Sequence, residues 1–156
     1  MFHIVLVEPE IPPNTGNIIR LCANCGATLH LIKPLGFEFD DRKLRRAGLD
    51  YRDMADVFIH DTLQDCLDAC GSSRVYACST KGTVNYADVM YKPGDVLMFG
   101  SETRGLRPNI LEAMGKDSII RIPMLKESRS LNLANAVSII VYEAWRQNGF
   151  LNSKKS

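Results

Sequence analysis

The sequence predicts an α/β fold, a mostly parallel sheet flanked by helices. Two observations carry this expectation. Short apolar runs rich in β-branched residues alternate with segments of helical period, the pattern of βα units. The chain has 156 residues, 46% of them hydrophobic and 24% charged, which suits one domain with a proper core. A single domain over residues 1–151 is expected, followed by a polar tail at 152–156, with no repeat, linker or low-complexity stretch between.

In chain order, the run His3 to Val7 reads as the first strand and Asn17 to Cys25 as the first helix, with Asn14 or Asn17 available to cap it. Thr28 to Ile32 is the second strand. Arg42 to Ala47 makes a weaker, basic helix. Val57 to His60 and Arg74 to Cys78 are strands on either side of a helix at Thr62 to Ala69. Val96 to Phe99 and Ile119 to Ile122 are strands separated by a helix at Pro108 to Met114. The last helix, Asn132 to Gln147, has the clearest pattern. Its Leu133, Ala136, Val137, Ile140, Val141, Ala144 and Trp145 recur at helical spacing, and Gly149 supplies a stop.

Composition excludes several classes. Nineteen Lys and Arg stand against 18 Asp and Glu, a net charge of +1, so no global field drives the chain onto nucleic acid or membrane. No apolar run approaches membrane-spanning length, and the opening residues lack the basic region of a signal peptide, so a cytoplasmic protein without a membrane partner is expected. Five cysteines, at 22, 25, 66, 70 and 78, suit a reducing compartment. Cys22/Cys25 and Cys66/Cys70 each share a helix face at spacings a zinc site could use, but their apolar neighbours favour buried thiols, and no metal is expected. His3, His30 and His60 all fall in strands, where packing or a satisfied hydrogen bond is a better reading than catalysis.

A sheet of this kind binds nucleotide-like ligands beyond the carboxyl ends of its strands. No Gly-x-Gly-x-x-Gly follows the first strand, which disfavours a dinucleotide oxidoreductase or a small metabolite binder of that type. Gly100-Ser101-Glu102-Thr103-Arg104-Gly105 has the glycine spacing of a phosphate loop, but Leu106-Arg107 stands where Lys-Ser/Thr is required. Three loops, this one among them, carry polar residues that a core does not need. They are Asn14-Thr15-Gly16-Asn17-Ile18-Ile19-Arg20; the stretch from Gly100 to Leu106; and Ile120-Arg121-Ile122-Pro123-Met124, leading through Lys126-Glu127-Ser128-Arg129 into Ser130-Leu131-Asn132-Leu133-Ala134-Asn135-Ala136.

These three segments, in this order, resemble the motifs of the SPOUT superfamily of RNA methyltransferases, and within it the small 2′-O-ribose branch that modifies the wobble position of tRNA. The resemblance implies a C-terminal trefoil knot, an exception to the rule that chains avoid threading. It implies S-adenosylmethionine (AdoMet) as cofactor, tRNA as partner, a homodimer, and methylation of the ribose 2′-hydroxyl of nucleotide 34, cytidine or modified uridine, of leucine tRNAs. Another tRNA or rRNA position, or a non-catalytic RNA-binding module of the same fold, is the alternative.

Carried over by residue, the resemblance implies that Gly100, Ile122 and Ser130, with the backbone near Cys78, line the methyl donor's pocket, and that Met124 and Leu131 help sandwich its adenine. A glycine suits that place because backbone amides can approach a ligand closely; Ile122 and Leu131 taken singly would read as core. Arg20, Asn14, Glu102 and Asn132 are the implied catalytic set. A guanidinium gives up a proton with difficulty, so Arg20 reads better as a clamp on the phosphate beside the target ribose than as a general base. Asn14, Glu102 and Asn132 would fix neighbouring backbone and the hydroxyl, with the final proton lost to water. Arg104, Lys126 and Arg129 flank the implied pocket and are candidates for RNA contact; Arg42-Lys43-Leu44-Arg45-Arg46, Arg107 and Lys154-Lys155 are weaker ones. The last helix is apolar enough to be buried on two sides, against the sheet and against a second copy, with Tyr142 at the interface.

Overall fold

The computed structural model describes residues 1–40, 42, 46, 48–50, 53, 54, 56–71 and 73–154. The basic helix expected at Arg42 to Ala47 falls largely outside them, as does Lys155 of the tail.

Among the described residues, seven strands form one sheet in the order β3-β2-β1-β6-β4-β7-β5: β1 His3–Val7, β2 Thr28–Ile32, β3 Val57–His60, β4 Val75–Cys78, β5 Val84–Asn85, β6 Val96–Phe99 and β7 Ile119–Arg121. Every strand pairing is parallel. Among the described residues, the helices that cover the sheet are α1 Pro12–Cys25, α2 Leu63–Cys70, α3 Pro108–Glu112 and α4 Leu133–Gln147. The alternation of side chains along each strand explains why β1, β2 and β6 are apolar at nearly every position. Ile4 and Leu6, Leu29 and Leu31, Leu97 and Phe99 point to one face, where Ile18, Ile19 and Cys22 of α1 and Val137, Ile140, Val141 and Ala144 of α4 meet them. Val5, Val7, Ile32, Val96 and Met98 point to the other, under Cys66 of α2 and Leu106, Ile110 and Leu111 around α3. Cys22 and Cys25 therefore lie on the opposite face from Cys66 and Cys70, so the four thiols form no common site.

The first helix corrects the sequence reading. It begins at Pro12, five residues before the expected Asn17, and Ile11 is its N-cap residue with no side-chain cap. Proline fits a first turn because its φ is already helical and its missing N–H would have had no intrahelical partner. Asn14 is thus inside the helix, 8% exposed, and neither it nor Asn17 is the cap. The other helix starts follow ordinary capping: Thr62 accepts from the Asp65 amide at the head of α2, and Asn132 from the Asn135 amide at the head of α4. Gly26 closes α1 with φ 73°, and Gly149 stands beyond α4 with φ 70°.

Candidate active site

The carboxyl ends of β4, β6 and β7 open onto a cavity of about 440 Å³. Cys78, Ser79, Thr80 and Lys81 come from the end of β4, residues 99–106 from the end of β6, and Arg121, Ile122 and Met124 from the end of β7. The segment before α4 closes the cavity with Ser130, Leu131 and Asn132, while Ile11 and Asn14 reach it from the start of α1. All six residues expected around the methyl donor, Cys78, Gly100, Ile122, Met124, Ser130 and Leu131, line this one space. Burial pushes the Cys78 thiol up to about 12, so it stays protonated and contributes wall rather than nucleophile.

The mouth of the cavity is shaped by a tight backbone loop. The Gly105 amide donates to the Ser101 carbonyl at 2.9 Å, and Leu106 anchors the far end in the second core. Gly100 lines the cavity and has a steric reason of its own to be bare. A Cβ at that position would stand 2.0 Å from the Gly105 carbonyl carbon and 2.1 Å from the Leu106 nitrogen, so its bareness accommodates the returning backbone itself.

Three of the four residues expected to be catalytic meet in a hydrogen-bonded series. Asn132 Nδ2 donates to Asn14 Oδ1 at 3.0 Å, and Asn14 Nδ2 donates to Glu102 Oε2 at 3.3 Å. The Glu102 carboxylate also accepts the Glu10 amide at 2.9 Å and the Ile11 amide at 2.7 Å. Both of its oxygens are therefore occupied in fastening the start of α1 to the end of β6, a positioning task. Beside it, Thr103 donates to Glu10 Oε1 at 2.7 Å, and this bond, with Ser101, holds the Glu10 carboxyl below its ordinary range.

Arg20 stands apart. It lies on the exposed side of α1, does not line the cavity, donates to the Gly48 carbonyl and faces Asp53 at 3.9 Å. Of the cationic candidates, Arg104 lines the cavity, and Lys126 and Arg129 are exposed on the adjoining segment without lining it. Arg107 is paired with Glu8 at 2.8 Å, which neutralises it as part of a cationic patch. No histidine lines the cavity, as the strand placements implied. Sequence reasoning missed Ser79, Thr80 and Lys81, whose one local signal is that they follow β4, and it gave no role to Thr103 and Arg121 within the loops it singled out.

A crevice over the carboxyl ends of a doubly covered parallel sheet, walled by apolar side chains and edged by convergent amides, defines an α/β enzyme for a nucleotide-like ligand. The chain belongs to the SpoU rRNA Methylase family, whose pattern matches residues 1–142. A curated relative, the tRNA (cytidine(34)-2'-O)-methyltransferase of Escherichia coli (strain K12), is 57% identical over 150 residues, covering 96% of each chain. A solved structure described as giving insight into the 2-OH methylation of C/U34 on tRNA superposes with a TM-score of 0.87 at 44% identity, over 96% of this chain and 97% of its own. The SpoU methyltransferase of Streptomyces viridochromogenes, solved in complex with the cofactor AdoMet, has a TM-score of 0.79 at 25% identity, over 94% of this chain and 57% of its own.

Proposed function

We propose that this chain uses AdoMet to methylate the ribose 2′-hydroxyl of nucleotide 34 in tRNA, with leucine tRNAs as its substrates. The observation that carries this reading is the convergence of the Asn132, Asn14 and Glu102 series on a cavity whose size and apolar walls suit an adenosine. The names of the near relatives support the position on the tRNA.

When bound, AdoMet supplies a methyl group already activated by its sulfonium. Ile122, Met124 and Leu131 would hold the adenine between apolar surfaces, with Ser130 and the backbone at Cys78 and Gly100 offering polar contacts. The remaining task of the chain is alignment, because holding the ribose oxygen in line removes most of the entropic cost of transfer. Asn14 and Asn132 place amide groups at the cavity edge, Glu102 keeps them there, and the hydroxyl proton passes to water. Arg104, Lys126 and Arg129 would draw the anticodon backbone to the mouth, while Arg20 clamps the phosphate next to the target ribose.

The test is incubation with labelled AdoMet and, in parallel, bulk tRNA and rRNA, followed by digestion and mapping. 2′-O-methylated cytidine or uridine is expected at position 34 of leucine isoacceptors. Label at another tRNA position or in rRNA would move the substrate, and RNA binding without methylation would favour a non-catalytic module.

The reading extends to the whole molecule. The chain is taken as one methyltransferase domain over residues 1–151, with a polar tail at 152–156, acting in the cytoplasm; among the described residues no helix is long and apolar enough to cross a membrane. A C-terminal trefoil knot is proposed with the fold of the family to which the chain belongs. A crystal structure with AdoMet tests the knot and the ligand contacts together, activity of a chain ended at Leu151 tests the tail, and cell fractionation tests the compartment.

A homodimer is supported by the exposed end of α4, where Tyr142, 41% exposed, packs edge-on to Trp145, which in turn meets Phe150. Analytical ultracentrifugation at micromolar concentration is expected to give a dimer, and Tyr142→Arg to shift it toward monomer. A wild-type monomer with full activity would contradict this.

A further inference from the structure

On the face of the sheet remote from α1 and α4, three imidazoles stand in a row across three strands. His3 Nδ1 lies 3.0 Å from His30 Nε2, and His30 Nδ1 lies 2.9 Å from His60 Nε2. His30 is buried, while His3 and His60 are half-buried. Helix α2 crosses above them and brings two thiols: Cys70 Sγ is 3.7 Å from His30 Nε2, and Cys66 lies fully buried beside His30 and His60. None of these residues lines the cavity described above.

We infer that His3, His30 and Cys70 form a binding site for a zinc ion. Their three donor atoms lie within 4.8 Å of one another. Zinc bonds of about 2.0–2.1 Å to nitrogen and about 2.3 Å to sulfur set tetrahedral ligand edges near 3.3–3.7 Å, so small side-chain adjustments close the triangle. Imidazole and thiolate are the donor types that suit this ion. His60 completes the arrangement from behind. If His30 Nδ1–H donates to His60 Nε2, the lone pair of His30 Nε2 is left facing His3 and Cys70, the tautomer a ligating histidine needs. Half-buried His3 gives the site its side toward solvent, where water can serve as the fourth ligand. The second triplet, His30, His60 and Cys66, shares the central imidazole, whose Nδ1 faces His60.

This departs from the absence of metal expected from the cysteine spacings. The ligands are contributed by β1, β2 and α2, and only the parallel register of the strands gathers them.

The test uses untagged, full-length protein purified without chelator and titrated with zinc alone, followed by cobalt substitution. Stoichiometric zinc retained through dialysis is expected, and cobalt is expected to show the thiolate charge-transfer band and intense visible bands of a tetrahedral site. Cys70→Ser and His3→Asn should abolish retention and the charge-transfer band, with circular dichroism verifying that each variant is folded. His60→Gln should weaken zinc binding by roughly 10–100-fold, as loss of an orienting partner does. Cys22→Ser, on the opposite face, should change nothing. Failure of the wild-type protein to retain zinc, or retention by folded Cys70→Ser equal to wild type, would overturn the site.

Discussion

Gly100→Ala is expected to lower thermal stability and to eliminate AdoMet binding at the same time. The added Cβ would lie 2.0 Å from the Gly105 carbonyl carbon and 2.1 Å from the Leu106 nitrogen, and both are backbone atoms that cannot rotate away. The loop they belong to is held by the Gly105 amide on the Ser101 carbonyl and by buried Leu106, so it can move only by breaking one of these anchors. Forcing extra volume into a packed place costs about 1–3 kcal/mol, occasionally more. At a few degrees per kcal/mol for a chain of this size, Tm should drop by roughly 5–10 °C. The same displacement would deform the mouth of the cavity that residues 100–106 build, so calorimetry should detect no AdoMet binding in the protein that remains folded. Gly115→Ala is the control, since nothing lies within 4 Å of its added Cβ, and it should match the wild type in both measurements. A Gly100→Ala protein with unchanged Tm and unchanged AdoMet affinity would mean that this close approach does not shape the site.

The steric origin of that effect is an example of what the sequence carries and what it does not. Apolar periodicity placed six of the seven strands and the long helices because each of those signals is local: a β-branched run such as His3–Val7, or the helical stripe from Leu133 to Trp145. Val84–Asn85 escaped because two residues make no pattern. The start of α1 was misplaced because Asn14 and Asn17 look like caps, whereas Pro12 and Pro13 begin the helix more cheaply in conformational terms. The cavity residues were legible through the three loop motifs, yet the reason for Gly100 was not, since its crowding depends on a backbone segment returning five residues later. The histidine row shows the same limit more strongly. Each imidazole was placed correctly in a strand, but their meeting depends on the side-by-side order β3-β2-β1, which no local window contains. Arg20 also illustrates it, because its partners Gly48 and Asp53 lie in a part of the chain with little periodic signal.

Arg20→Ala should reduce methyl transfer by about 10–100-fold while leaving AdoMet affinity unchanged. The second half follows from position, because Arg20 is outside the cavity. The first half follows from the clamp proposed for it. A charge-assisted hydrogen bond contributes about 1.5–3 kcal/mol, and each 1.4 kcal/mol is a factor of ten in rate when the contact aligns the reacting oxygen. Its present partners do not oppose that role. The Arg20 side chain is 56% exposed, and its pairing with half-buried Asp53 at 3.9 Å lies at the long limit of an ion pair, so an RNA phosphate can compete for the guanidinium. For the same reason Arg20→Ala should lose little stability. Arg20→Lys separates the clamp from proton chemistry. Lysine keeps the charge and loses the planar fork, so a phosphate contact should survive in part, whereas a proton transfer that requires the guanidinium should not. Single-turnover rates for the three proteins against pH, with tRNA affinity measured alongside, decide between them. An intermediate rate for Arg20→Lys with an unshifted pH profile is the expected result. If Arg20→Lys is as slow as Arg20→Ala while binding tRNA like the wild type, the phosphate clamp is wrong and Arg20 acts in the proton transfer itself.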